Sequence, residues 1–562
     1  MNIIFNAGRF KPKKLIYLSL FVLIPSLTVY SQQFGGVYAI KGGIIVKGTG
    51  EKIENGIVLI RDGLIEAVGK YIQIPEDAEI INAESLYVYP GLIDAHTNIA
   101  IPRKKPEVRR TQAGRTTPRE PEPAFTPEKK AVDLIKADNK SLKKIVESGV
   151  TTALTVNPTG VFPGTSALIN LRGETPGEMI VKPLVAQHIT YAIRRGAYPS
   201  TLMGVVAFQR QTFLDLKHYI ELKNISKITT RGWKRPDYDG KLEALIPVFE
   251  NNFPVIINAM KENDIIRAVK LAREFNLNYI ISGAVEGYRT VELLKREGKP
   301  VLLSLDFPEP MQVTGYSFAL KVKPPEVEKK PSKEEEKKKE KEDKEFWDLI
   351  YGNAATLYQA GIKFAFCSAP KSKPEKLLEN VRKTVEHGLP KDEALKALTV
   401  NPAKIFGVEE ELGTIEEGKI ANIIVCDKEI FDKKCKMRYV FVDGKKIEIV
   451  KKPEKKKKEE TAKVDVSGEW DVEIETPDGI MSATLIINQS GNEFSGTFSS
   501  EMGDIELQNG KISGNEIEFV VTAGGIEATF SGTVKGNEIN GTVDAGPMGT
   551  VTWKATKKPG SK

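Results

Sequence analysis

Between residues 36 and 90 the chain alternates apolar and polar positions in short runs, YAIKGGIIVKG, GIVLIRDGLIEAVG and AEIINAESLYVYPG, each broken at glycine or asparagine. A period of two marks strands with one buried face, and Gly and Asn supply the turns, so this stretch predicts a small β module. From residue 91 the pattern changes. TTALTV, FPVIINA, NYIISG, PVLLSLD and IKFAFCS are almost wholly apolar, and stretches with helical spacing separate them. In KENDIIRAVKLAREFN the residues Ile265, Ile266, Val269, Leu271 and Ala272 recur at that spacing, with charge on the other face. Buried strands alternating with amphipathic helices over 91–405 predict a parallel α/β architecture, a distorted TIM-type (β/α)8 barrel. LGTIEEGKIANIIVCD and MRYVFVDGKKIEIV are strand-like again. They predict that 406–450 returns to the first module, making 32–90 and 406–450 one discontinuous β-sandwich.

Residues 466–557 form a third pattern. SGNE occurs at 490–493 and 513–516 and KGNE at 535–538, each repeat about one β-hairpin long. About eight alternating strands with Gly/Asn turns predict a separate all-β, barrel-like domain, since closure removes exposed strand edges. A barrel of this size can be packed solid or can hold an apolar ligand.

A chain of 562 residues exceeds one core, in keeping with several units. The formal net charge of +7 changes the picture little, because much of it lies outside the patterned segments. Residues 323–345 carry nine Lys, nine acidic residues and three Pro, with almost nothing to bury; they predict a charged disordered insertion or a frayed helix at a strand's C-terminal end. Residues 451–465 read as a charged linker; 451–460 alone hold six Lys and three Glu, net +3. No basic stripe with interleaved aromatics occurs, so nucleic acid is not an expected partner. Arg9, Lys11, Lys13 and Lys14 precede the apolar run LIYLSLFVLIPSLTVY, and Val29 and Ser31 suit a cleavage site. Residues 1–31 therefore predict a cleavable signal peptide, a periplasmic or secreted mature protein, and no membrane span after its removal. The three cysteines, Cys367, Cys426 and Cys435, have no CxxC spacing, so no thiolate zinc site is predicted. Cys426 and Cys435 fall on neighbouring strands, either as a pair or as free thiols.

The candidate chemistry begins at PGLIDAHTNIA, where an apolar run delivers His96 to a strand end and Asn98 follows two places later. VYPGLIDAHTN resembles the first-strand signature of the amidohydrolase superfamily, PGxIDxHxH. SGVTTALTV resembles its second-strand signal, and residues 400–427 resemble its closing segment. GAYPSTLMGVVAFQRQTF is similar to the imidazolonepropionase-like branch. The resemblance covers roughly residues 36–450. It implies metal-dependent hydrolysis of non-peptide C–N bonds at the barrel mouth. Two histidines on the first strand, histidines on the fifth and sixth and an Asp on the eighth would hold the metal.

On those positions this chain places His96 and Asn98, then Asn258, then Gly283, and finally Ala369 after Ser368. Only His96 remains as a ligand. A catalytic zinc ordinarily needs three protein ligands and a water. The chain has four histidines and none between 219 and 386. His188 and His218 are expected to be satisfied core or surface residues, and His387 to cap a helix end. The resemblance therefore implies an exported hydrolase homologue of impaired or lost activity with no cofactor, its partners an unknown small molecule or a metal-complete paralogue. The alternative is an active hydrolase with an unusual site for one zinc or other divalent ion.

Overall fold

The computed structural model describes residues 36–102, 109–110, 116–117, 123–194, 196–229, 231–307, 333–369, 374–449 and 464–559, apart from 477–478, 501–502, 524–525 and 545–549. The expected signal peptide, residues 323–332 of the insertion and residues 451–463 of the linker lie outside them. The chain divides into two units, Met1–Ile449 and Val450–Lys562.

The first unit opens on β1 (Tyr38–Val46), β2 (Lys52–Arg61), β3 (Leu64–Gly69), β4 (Glu79–Asn82) and β5 (Tyr87–Pro90). Eight barrel strands follow: β6 (Leu92–Thr97), β7 (Val150–Thr155), β8 (Ala167–Asn170), β9 (Gln187–Thr190), β10 (Val255–Ala259), β11 (Tyr279–Gly283), β12 (Val301–Ser304) and β13 (Phe364–Cys367). Strands β9 to β13 run parallel in chain order, and β6 runs parallel to β7. Backbone hydrogen bonds close the ring at two seams, Ala369 N to His96 O at 3.0 Å and Ser166 N to Ala186 O at 2.9 Å.

One strand departs from the all-parallel expectation. β8 pairs antiparallel with β7. Only residues 156–166 connect them, without a helix. A parallel return needs a crossover of about a dozen residues or more, usually helical, so the shorter link turns back as a hairpin.

Helices cover the outside: α1 (Asn139–Glu147), α2 (Leu202–Ile228), α3 (Gly240–Glu250), α4 (Glu262–Glu274), α5 (Val291–Glu297), α6 (Lys333–Gln359), α7 (Leu377–Glu386), α8 (Lys391–Leu398) and α9 (Val400–Phe406). On α4 the buried stripe is Ile265, Ala268, Val269, Leu271 and Ala272. Ile266 is half-buried beside it.

Of the insertion over 323–345, expected as disordered or as a frayed helix, residues 333–345 form the first turns of α6. Lys and Glu are good helix formers, and Lys341 and Glu345 stand one turn apart at 3.8 Å. The helix is anchored further on, where Ile350, Ala354 and Leu357 are buried.

After α9 the chain returns through β14 (Ile423–Cys426), β15 (Met437–Val442) and β16 (Lys445–Glu448). β14 lies antiparallel to β5, pairing Ile423 with Pro90 and Val425 with Val88. The result is one mixed sheet of eight strands, β16-β15-β14-β5-β1-β2-β3 with β4 beside β1, so the first module is discontinuous in sequence. The period of two divides its faces. Ile423 and Val425 join Ile40, Val58, Ile60 and Val88 in the module's own core, whereas Ile424 and Cys426 join the apolar layer that packs around the barrel. No helix among the described residues is long and apolar enough to cross a membrane.

The second unit is a closed up-and-down barrel of eight antiparallel strands: β17 (Gly468–Thr476), β18 (Gly479–Ser490), β19 (Glu493–Ser500), β20 (Gly503–Glu506 continuing as Gln508–Ser513), β21 (Glu516–Ala523), β22 (Ile526–Lys535), β23 (Glu538–Asp544) and β24 (Thr550–Lys557). β17 pairs with β24 and closes the ring. Its interior is filled. The rings of Phe519 and Phe530 stack at 4.8 Å, and Trp553 stands edge-on to both at 5.8 and 5.3 Å. Gly541 makes room for this packing, because a Cβ there would lie 1.9 Å from Ser531 O and 2.7 Å from Trp553 Nε1. Among the described residues, these rings occupy the interior in which a barrel of this strand number can hold an apolar ligand.

Candidate functional site

The barrel interior changes character along each strand. Ile256, Ile280, Leu302 and Ala365 form an apolar layer. Two residues further along the same strands stand Asn258, Ser282, Ser304 and Cys367. Side chains two apart share a face, so the polar set lies above the apolar one, toward the strands' C-terminal ends. β6 slips register between Asp94 and Thr97. His96, Thr97 and Asn98 consequently all line the cavity above this layer. The cavity has a volume of about 800 Å³, and Lys129, Asp133 and Lys136 also line it.

Two imidazoles meet at its base. The rings of His96 and His188 are 5.0 Å apart and tilted by 57°. His96 is 6% exposed and His188 1% exposed. Ser282 Oγ lies 2.6 Å from His96 Nδ1 and fixes that ring. The Nε2 of His188 is buried with no hydrogen-bond partner. Below them Asp94 turns away from the cavity into the seam between β6 and β13. It accepts hydrogen bonds from Ser368 N at 3.0 Å and from Ser368 Oγ, and His96 N lies 3.3 Å from the same carboxylate. Asp94 is thus a structural acceptor that holds the barrel closed.

Burial sets the charge states. It holds the His96 imidazole down to about 4. Burial, with His96 as neighbour, keeps His188 well below the usual histidine range. Burial also pushes the Asp94 carboxyl up to about 6, against the pull of its Ser368 hydrogen bonds. Both histidines are therefore neutral at pH 7.

The linkage has a definite sign. Between about 6.5 and 4 the unfolded chain binds a proton at His96 that the folded chain does not, so acidification destabilises the fold. From pH 7 to 5 this amounts to about 2 kcal/mol for His96, with His188 acting in the same sense. Asp94 opposes them, because its folded form is the one that holds the proton there; it offsets about 1 kcal/mol. Urea unfolding followed by the helical circular-dichroism signal should give a lower midpoint at pH 5 than at pH 7. His188→Gln should flatten that dependence. A higher midpoint at pH 5 would contradict the buried neutral pair.

Asn98, Asn258 and Ala369 line the cavity beside His96. On β11 the structure differs from the sequence reading. Gly283 has φ +108° and would bring a Cβ within 2.6 Å of Met260 Sδ, and Ser282 faces His96 instead. His188, expected to be satisfied, sits on the base of the cavity with one nitrogen unpartnered. The signal available was QHIT, a short strand preceding β10, with His at the position that β-alternation turns inward. His218 lies exposed on α2. His387 ends α7 with Nδ1 2.7 Å from Lys383 O and Nε2 3.3 Å from Asp348, a capping role as expected. Among the described residues no three His, Cys, Asp or Glu side chains converge as a metal-binding group.

The family model for the amidohydrolase family matches residues 352–447, from the later turns of α6 through β13 into the composite sheet. A segment of 62 residues is 47% identical to the 5-methylthioadenosine/S-adenosylhomocysteine deaminase of Pyrococcus furiosus, covering 11% of this chain and 15% of that protein. A segment of 65 residues is 38% identical to the dihydroorotase of Bacillus pumilus, covering 12% of this chain and 15% of that one. These matches thus span only 15% of the length of either curated relative. The crystal structure of an amidohydrolase from Thermotoga maritima superposes with a TM-score of 0.57 at 25% identity, covering 73% of this chain and 99% of that one.

Proposed function

Because this chain belongs to the amidohydrolase superfamily, we propose that it is an exported member whose barrel mouth binds a small molecule, with metal-dependent hydrolysis of C–N bonds lost or much reduced. The observation that carries this reading is the set of side chains around His96. Asn98, Asn258 and Ala369 line the cavity with it, and Ser282 faces its ring. A divalent ion suited to hydrolysis asks for three or more anionic or imidazole donors on one point. Amides, a hydroxyl and a methyl group do not supply them, so these residues do not fit such a centre. They do suit hydrogen bonding: two neutral imidazoles at the base, Asn and Thr around them, and two lysines among the lining residues. Export rests on the leader at 1–31. The partner in this reading is the small molecule, or a ligand-complete paralogue in the cell envelope.

A second reading keeps the chain active on C–N bonds. Its support is the pair His96 and His188, whose ring spacing of 5.0 Å suits two ligands of one ion, and the unpartnered His188 Nε2. Metal analysis decides between them. The purified mature protein is expected to carry zinc far below one per chain and to hydrolyse lactam and acyl-amino substrates at the background rate. Near-stoichiometric zinc, together with hydrolysis lost in His96→Ala, would overturn the binding reading.

A further inference from the structure

We propose that Cys426 and Cys435 form an oxidisable dithiol, closed to a disulfide by exchange with an external disulfide, that cross-links the end of β14 to the loop before β15. Cys426 is the last residue of β14, buried completely, while Cys435 is half-buried in that loop. The loop is already drawn together. Asp427 N donates to Lys436 O at 3.2 Å, Lys436 N to Asp427 Oδ1 at 2.8 Å, and Cys435 N to Asp432 O at 3.0 Å. Within it Cys426 Sγ donates to Tyr87 O at 3.9 Å and Cys435 Sγ to Lys428 O at 3.6 Å, so both thiols lie at the hydrogen-bonded neck of this loop.

The surroundings favour a defined order of attack. The Arg382 guanidinium on α7 donates to Ile430 O at 2.9 Å, which holds the loop over α7. The neighbouring Cys426, with Arg382 nearby, lowers the Cys435 thiol below its ordinary range, while Cys435 and burial raise Cys426. Cys435 is thus the more accessible and the more readily ionised sulfur, as an attacking thiol should be. Its thiolate attacks one sulfur of the external disulfide, forming a mixed disulfide and releasing one thiolate. Cys426 passes its proton to a released thiolate and attacks Cys435 Sγ, expelling the second. The two protein thiols are oxidised by two electrons, and the external disulfide is reduced to two thiols. Cys367 takes no part. It is fully buried in the barrel interior, with Sγ 3.7 Å from Leu302 O.

Closing the short loop removes freedom from the unfolded chain and should raise the melting temperature of the oxidised protein by a few degrees. The test uses the full chain, reduced and then exposed to glutathione disulfide under native conditions, alkylated, digested and mapped by mass spectrometry. The expected product is one cross-linked species joining the Cys426 and Cys435 peptides, about 2 Da lighter than their reduced sum. Cys367 should be alkylated only after unfolding, and the melting increment should vanish in Cys435→Ser. If both thiols of the wild-type chain remain alkylatable, the proposal fails. It fails equally if Cys435 accumulates only as a glutathione adduct or as an intermolecular disulfide, because Cys426 then cannot reach its sulfur.

Discussion

The combined substitution Asn98→His, Asn258→His and Ala369→Asp is expected to raise zinc affinity at least about a hundredfold over the wild-type chain. All three positions line the same cavity as His96. With His96 they bring the strong donors to four, the number at which zinc sites close. The scaffold for such a site is present. Ser282 fixes the His96 ring through Nδ1, and orientation of a ligating histidine by its other nitrogen is worth about ten- to a hundredfold in metal affinity. Burial already holds His96 neutral, so no proton need be displaced at pH 7. The cost is an additional buried carboxylate, which the ion itself compensates. Competition against a chromophoric chelator measures the change. Wild-type affinity equal to that of the triple variant would mean that the native mouth holds the ion through groups other than those named, and the binding reading would fall with it.

Phe530→Ala in the C-terminal barrel is expected to cost about 3–5 kcal/mol, enough to unfold much of that unit at 37 °C. The ring lies between Phe519, Phe498 and Trp553, with centroids at 4.8, 5.4 and 5.3 Å. Phe519 is its direct partner on the neighbouring strand, and Phe498 and Trp553 reach it from strands further round the closed barrel, so these large inflexible groups cannot collapse into the space left behind. Hydrogen exchange should show β17–β24 losing protection, while β9–β13 in the other unit keep theirs. A cost under about 1 kcal/mol would mean that the interior is loose enough to admit a ligand.

Much of the architecture could be read along the chain. The period of two in residues 36–90 and 466–557, the apolar runs between helical stretches, and the return of strand character after residue 405 each reflect which face of a local element meets water. That preference is written in neighbouring residues. The resemblance of the first-strand motif implied that His96 stands at the barrel mouth, and His96 lines the cavity there. The antiparallel β8 was hidden because direction depends on what its linker can span.

The sequence by itself determined the kind of most elements, the discontinuous β module, and which residue types stand at the positions that the resemblance assigns to ligands. Only the tertiary structure decided which residues meet. It brought His188 to 5.0 Å from His96, turned Ser282 rather than Gly283 toward that ring, drew the loop between Cys426 and Cys435 together through Asp427 and Lys436, and stacked Phe519 on Phe530 inside the small barrel. The reason is physical. Alternation and helical spacing are local, fixed by backbone geometry within a few residues. Contacts across a closed sheet depend on register, bulges and seams set by the whole chain.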